Sequence, residues 1–259
     1  MKIKSTRSFT LLVTTSFVVL TSSLLRASET DDRIESSAGK SYVFKTYLKD
    51  DSVKTESKDG VVTLTGTVAE PFHKVLAQDT VEGLPGVKSV DNQIGIKGDT
   101  PVENSDTWLV MKVKNTLFFH RNVSAVSTHV KADHGIVHLY GEASSMAQKD
   151  LTTEYAADIE GVKAVKNEMT VAEAAPQRTI MEKIDDASIS AQIKSSLLFH
   201  RSTSALKTKI RTIDGVVSVN GKARNAAEKR LVSRIVSDIH GVNRVHNNMT
   251  IKTATASNH

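Results

Sequence analysis

The chain has 259 residues, 39% of them hydrophobic, enough for one or two packed cores. It contains no cysteine, which excludes disulfide frameworks, thiolate metal sites and cysteine nucleophiles. The formal net charge is +5, a basicity that would suit a polyanionic partner if it belonged to the folded part.

The first segment takes most of that charge away. Residues 1–27 carry Lys2, Lys4 and Arg7, followed by an uncharged run from Ser8 to Leu25. A basic start before an apolar run is the pattern of an export signal, and the predicted destination is the periplasm. The run approaches the roughly 20 residues of a membrane span. Its many Ser and Thr residues dilute it, and an uncleaved anchor is the alternative. Removing 1–27 takes four cations and no carboxylate, which leaves the remaining chain at +1.

The rest is one unit written three times. The octet from Asp59 to Gly66 recurs from His134 to Gly141 and again from Asp214 to Gly221. The Gly86, Gly161 and Gly241 positions keep the same offsets, as do Asn92, Asn167 and Asn247, and Phe44, Phe119 and Phe199. The predicted units are 31–98, 106–173 and 186–253, with linkers around Pro101 and Pro176.

Within each unit a first helix is expected after an acidic cap at Asp31, Asp106 or Asp186. Its apolar residues repeat every four positions, as in Leu109, Val113 and Leu117. An alternating strand follows, then a two-residue turn at Gly60, Gly135 or Gly215. The return strand places Val62 and Leu64, Val137 and Leu139, or Val217 and Val219 on one face, and Gly66, Gly141 or Gly221 is expected to end it. A second helix is predicted over roughly 70–84, 144–159 and 225–239, closed by Gly86, Gly161 or Gly241. A single final strand, Val162–Val171 in unit two, completes the unit. The fold class is α+β: three tandem αββαβ sandwiches, each with helices on one face of a three-stranded mixed sheet.

This order of helix, strand, D-G-V-V-x-L-x-G, helix and G-V-x-x-V-x-N resembles the BON domain, known from bacterial osmotically inducible and nodulation proteins. The resemblance covers about nine-tenths of the chain after residue 27. Unit two departs from it with His134 in place of Asp. Unit one departs with Thr55 and Ser57 where Val is usual, which predicts a weaker first core. The resemblance implies a non-enzymatic envelope role, a part in osmotic or envelope stress, and contact with phospholipid. It transfers no catalytic residue.

The residues themselves agree. No G-x-S-x-G, H-E-x-x-H, P-loop or dinucleotide fingerprint occurs, and neither catalytic residues nor a cofactor is expected. His129, His134 and His138 cluster in one hairpin, but the register sets His129 opposite Tyr140 and His138 opposite Lys131, a solvated outer face with no metal expected. His120-Arg121 and His200-Arg201 follow the first helices and are read as cations that cap those helices. Trp108, the only tryptophan, is read as an inter-unit contact, with a membrane anchor or a surface aromatic as alternatives.

Charge separates the units more sharply than any motif. Units one and two each sum to −2, whereas unit three sums to +8. Lys209, Arg211, Lys222, Arg224, Arg230 and Arg234 are the candidate lipid-binding residues, facing an anionic phospholipid surface. Nucleic acid would suit the charge but not an exported protein. A periplasmic chaperone or protein-interaction module without a lipid role is the alternative.

Overall fold

The computed structural model describes residues 29–98, 101–172, 183–203 and 208–251. The predicted leader and the centre of the second linker lie outside them. Unit one comprises α1 (29–40), α2 (Tyr42–Thr46), β1 (Ser52–Lys58), β2 (Val61–Val68), α3 (Pro71–Glu82), β3 (Ser89–Asn92) and β4 (Gly95–Ile96). Unit two comprises α4 (Asp106–Phe119), β5 (Thr128–Asp133), β6 (Ile136–Ala143), α5 (Met146–Ala157), β7 (Ala164–Asn167) and β8 (Thr170–Val171). Unit three repeats it with α6 (Asp186–Phe199), β9 (Thr208–Ile213), β10 (Val216–Ala223), α7 (Ala226–Ser237), β11 (Arg244–Asn247) and β12 (Thr250–Ile251).

In every sheet the return strand is central. It pairs antiparallel with the first strand on one side and parallel with the two short last strands on the other. The helices cover the face that carries Val62 and Leu64, Val137 and Leu139, or Val217 and Val219, all fully buried. The predicted stripe of the first helix, such as Leu109, Val113 and Leu117, is likewise buried against the sheet. The Ser57 hydroxyl donates to Asp31 at 2.6 Å, so the small polar residue serves a hydrogen bond.

Several local expectations are corrected. Asp106 and Asp186 do not cap their helices. The caps are Ser105 and Asp185, whose side chains accept from the N–H of Trp108 and Ser188. Asp106 and Asp186 occupy the first helical position and reach across to the hairpin instead. Asp106 accepts from the N–H of His134 and Gly135, both at 2.8 Å, and Asp186 from those of Asp214 and Gly215. Both turn residues have positive φ, 49° at His134 and 85° at Gly135, and their N–H groups point toward the helix start. These hydrogen bonds hold the Asp106 carboxyl below the ordinary carboxylate range, the Gly135 N–H contributing most.

Gly66 and Gly141 lie within the return strands and do not end them. A Cβ at Gly66 would stand 1.7 Å from the Ser52 carbonyl oxygen, so the partner strand passes too close for any side chain. The closing glycines sit four residues beyond the ends of the second helices, whose own C-caps are Gly83, Asp158 and Asp238.

The last strand is broken in two because an asparagine turns away from the sheet to hold the helix. Asn247 Nδ2 donates to Lys229 O and Ser233 Oγ, both at 2.8 Å, while its Oδ1 accepts from the Met249 N–H at 3.0 Å. Lys229 Nζ returns to Met249 O at 2.7 Å. Asn92 with Lys74 and Asn167 with Lys149 repeat the clasp. The kink buries Ile94, Met169 or Met249 beneath it.

The first helix of unit one also breaks, at Ser41, whereas α4 and α6 run unbroken for 14 residues. The N–H groups freed at Tyr42 and Val43 donate to Asp185 and Ser188 at the start of α6. The break is thus satisfied from unit three.

The asparagine clasp makes a direct prediction. Asn247→Ala leaves the Met249 N–H without its partner, removes one donor from the Lys229 carbonyl, and should lower unfolding stability by about 1–3 kcal/mol. Urea unfolding followed by circular dichroism measures it, and an unchanged midpoint would contradict the role given to the clasp.

Candidate anion-binding site

The six candidate cations of unit three do not form one patch. Lys209, Arg211 and Lys222 stand on the outer face of the sheet, where Lys209 faces Asn220 and Arg211 faces Ser218. His246 of β11, beside Ser218, is exposed on the same face. No carboxylate occupies a strand position there. The corresponding faces of the other units are mixed, with Lys54 beside Glu56 in unit one and Lys131 beside Asp133 in unit two. Arg224 is committed to structure: its Nε lies 3.1 Å from Glu228 Oε2, and its Nη2 donates to Ser202 O. Arg230 and Arg234 lie one turn apart on the exposed side of α7, in the helix layer.

A groove of about 680 Å³ runs between α7 and the edge strand β11. Arg230, Arg234 and Arg244 line it from unit three, and Arg121 enters from unit two. Arg234 is hydrogen-bonded to Glu154 of unit two, and that contact holds its guanidinium above the ordinary arginine range. Among the described residues, neither Arg230 nor Arg244 forms an ion pair.

The presence of Arg121 in that groove reflects how units two and three dock. The main-chain contacts and the arginine contacts are made twice, in exchanged order, as in a twofold-symmetric dimer. The Arg121 N–H donates to Asp238 O, and that of Arg201 to Asp158 O. The His240 N–H donates to Phe119 O, and that of Glu160 to Phe199 O. The Arg121 guanidinium donates to Ser237 O and Val242 O, and that of Arg201 to Ala157 O and Val162 O. His120 and His200 then meet the C-cap carboxylates of the opposite unit. His120 Nδ1 lies 3.2 Å from Asp238 Oδ2, and His200 Nδ1 lies 2.9 Å from Asp158 Oδ2. His120 and His200 do stand at the C-caps of α4 and α6 as expected, but the side chains of these His-Arg pairs serve the C-terminus of a helix in the other unit. The favourable dipole is the one expected, but on a different helix.

Unit one closes the junction. Phe72 stands 6.4 Å from both Phe119 and Phe199, on the approximate twofold axis. Helix α3 packs on α6, with Gly83 against Ala187 and Asp79 paired to Lys194 at 3.0 Å. Trp108 is half-buried, and Lys112 Nζ lies 3.6 Å above its ring while reaching to within 5.5 Å of Phe199 in unit three. The link across the units at this point runs through the lysine.

Ser196, His120 and Asp238 form a string whose connectivity matches that of an acyl-transfer relay, with Ser196 Oγ 3.2 Å from His120 Nε2. Both Ser196 and His120 have no exposed surface, and Tyr155 stacks on the imidazole at 4.0 Å while donating to Asp238 at 2.5 Å. A substrate carbonyl has no approach to that hydroxyl, and the string acts as interdomain packing. In the unit-two hairpin the expected register holds, with His129 opposite Tyr140 and Lys131 opposite His138. His138 lies 3.4 Å from Glu168, and no group of three or more candidate ligands could hold a metal ion among the described residues.

The comparisons with known proteins fall on the same three units. The BON domain model matches residues 30–98, 105–173 and 185–253. Osmotically-inducible protein Y of Escherichia coli (strain K12) is 29% identical over 194 residues, covering 74% of this chain and 93% of that protein. Outer membrane lipoprotein DolP of Haemophilus influenzae is 29% identical over 125 residues, covering 45% of this chain and 64% of that protein. Among solved structures, CdsD of the Chlamydia trachomatis type III secretion system aligns over 82% of this chain and 91% of that chain. Its identity is 17% and its TM-score 0.25.

The junction predicts how stability responds to pH. Burial pushes His120 below the ordinary histidine range against the opposing pull of Asp238, and burial beside Arg121 does the same to His240. The unfolded chain therefore takes up protons first. Stability from these residues is complete above about pH 6.5 and falls as pH drops through the unfolded value. Burial alone would raise the Asp158 carboxyl, but hydrogen bonds from His200 and Ser202 outweigh it and hold it low. Its contribution is lost only at more acid pH, below the ordinary carboxylate value. The melting temperature should drop by about 4 °C between pH 7.5 and 5.5, the effect of about 1–2 kcal/mol in a chain of this size. His120→Gln with His240→Gln should flatten that dependence, and a melting temperature that rises on acidification would contradict it.

Proposed function

The chain belongs to the BON domain family, and we propose that it is an exported, non-enzymatic envelope protein that contacts anionic phospholipid through unit three. The observation that carries this reading is the outer sheet face on which Lys209, Arg211 and Lys222 stand with no carboxylate among the strand positions. A flat face of one sign suits a charged plane, and each near-surface cation contributes about 1 kcal/mol of attraction to an anionic leaflet. Such contact is peripheral, reversible and screened by salt. Among the described residues no helix is long and apolar enough to cross a membrane. The role in osmotic or envelope stress rests on the names of the relatives, one osmotically inducible and one an outer membrane lipoprotein. Units one and two would supply the body that holds the basic face in place.

Vesicle co-sedimentation of the full chain tests the reading. Binding is expected to phosphatidylglycerol-containing vesicles, not to neutral ones, and to fade as salt is raised. Lys209→Glu with Arg211→Glu should weaken it at least about tenfold, as four units of charge change near the surface imply. The corresponding changes at His129 and Lys131 of unit two should leave it intact. Equal binding to neutral vesicles, or suppression of client aggregation that ignores these substitutions, would favour a chaperone or protein-interaction module.

A further inference from the structure

We infer that the groove between α7 and β11 is a phosphate-binding site built by two units, with Glu154 as its resident competitor. The site lies at the β11 edge of the sheet and shares Arg244 with the outer face proposed to meet the membrane. Arg230 and Arg234 stand in the helix layer and Lys209 and Arg211 on the far strand, so either reading can fail alone. Four arginines line the groove, Arg121, Arg230, Arg234 and Arg244, and among the described residues the one carboxylate paired with any of them is Glu154. Arg121 is fixed in place, because Ser237 O and Val242 O hold its guanidinium. It supplies charge without needing to move. Arg230 and Arg244 approach from opposite walls, one on the helix and one on the edge strand, and neither is paired among the described residues. Planar guanidinium forks match the oxygens of phosphate better than any other side chain does.

The Arg234–Glu154 pair is built to yield. Its two side chains are 56% and 59% exposed, and an exposed pair is weak. An incoming phosphate can take Arg234 in bidentate fashion and release Glu154 to water. The other units show that the fold does not require this chemistry. At the positions of Arg230, Arg234 and Arg244, unit two has Asp150, Glu154 and Ala164, and unit one has Val75, Asp79 and Ser89. The groove is cationic in unit three alone. It is also incomplete without unit two, which contributes both Arg121 and the competing carboxylate.

Calorimetric titration of the full chain with inorganic phosphate, and separately with glycerol 3-phosphate, tests the inference. Saturable binding is expected in the wild type. Arg230→Gln and Arg244→Gln should each weaken it by about tenfold, the scale of one charge-assisted hydrogen bond. Glu154→Gln should strengthen it by roughly threefold, matching the worth of an exposed ion pair. Lys209→Gln on the sheet face should change nothing. All four side chains are exposed, and an unshifted melting temperature will show that folding is preserved. The absence of saturable phosphate binding in the wild type, or binding unchanged in the Arg230→Gln, Arg244→Gln double variant, overturns the site. Vesicle sedimentation of the Arg230→Gln single variant, whose side chain lies in the helix layer and off the sheet face, identifies the source of the phosphate. Loss of vesicle binding makes it a lipid headgroup, and retention makes it a soluble phosphate compound. Vesicle binding lost only in sheet-face variants leaves the membrane reading standing whatever the groove does.

Discussion

Asp158 and Asp238 occupy the C-caps of α5 and α7, and each carboxylate is met by residues of the opposite unit. His120 and Asn122 reach Asp238, while His200 and Ser202 reach Asp158. A helix C-terminus is a poor place for a carboxylate, since the last carbonyls already carry partial negative charge. Each becomes tolerable because a histidine and an arginine from across the junction converge on the same end. Docking of units two and three is therefore part of the folding of each second helix, and the carboxylates would be poorly placed without it. Unit one has Gly83 at that position and Lys45-Thr46 in place of the His-Arg pair. It cannot join the reciprocal contact, and it packs on α6 with Phe72 wedged between the two symmetric phenylalanines.

That arrangement gives the charge imbalance a structural setting. Units two and three are nearly the same object turned about an axis, so every surface position of one has a counterpart position on the other. Opposite charges at matching positions, Asp150 against Arg230 and Glu154 against Arg234, make one side of the pair acidic and the other basic. Arg234 and Glu154 express this directly, since they occupy the same position in the repeat and face each other across the junction. A sheet face that is mixed in two units and cationic in the third is the same kind of divergence. The fold is held constant and the surface carries the distinction.

Much of this was legible in the sequence, and the limits of legibility have physical causes. The three units, the central return strand and the buried stripes followed from period and spacing, because those patterns record which side of an element is dry. The sheet register at His129 and Tyr140 followed from the two-residue turn, which permits little else. The roles of Asp106 and Asp186 were missed because an acidic residue near a helix start has two uses, capping its own helix or binding a turn 28 residues away, and sequence favours the nearer. The broken last strand was missed because Asn92, Asn167 and Asn247 look like strand residues until the helix carbonyl they hold is in view. His-Arg was read as a local cap for the same reason. One signal did exist: the His-Arg pair and the C-cap aspartate are both present in units two and three and both absent from unit one. Two features that come and go together within one chain mark a contact between them.

The surface cations show the opposite limit. Composition correctly concentrates charge in unit three, but charge is additive along a chain and blind to layers. The sheet separates Lys209, Arg211 and Lys222 from Arg230 and Arg234, and Arg224 is consumed by Glu228 at the start of α7. A sum of +8 therefore resolves into a plane and a groove, which call for different ligands. A plane of separated cations attracts a charged surface without choosing among its molecules, whereas converging guanidinium groups select the geometry of a single phosphate. Because Arg121 and Glu154 belong to unit two, the groove has its composition only while the two units are docked. The same buried histidines that make docking sensitive to acid thus stand behind the charge that the groove presents.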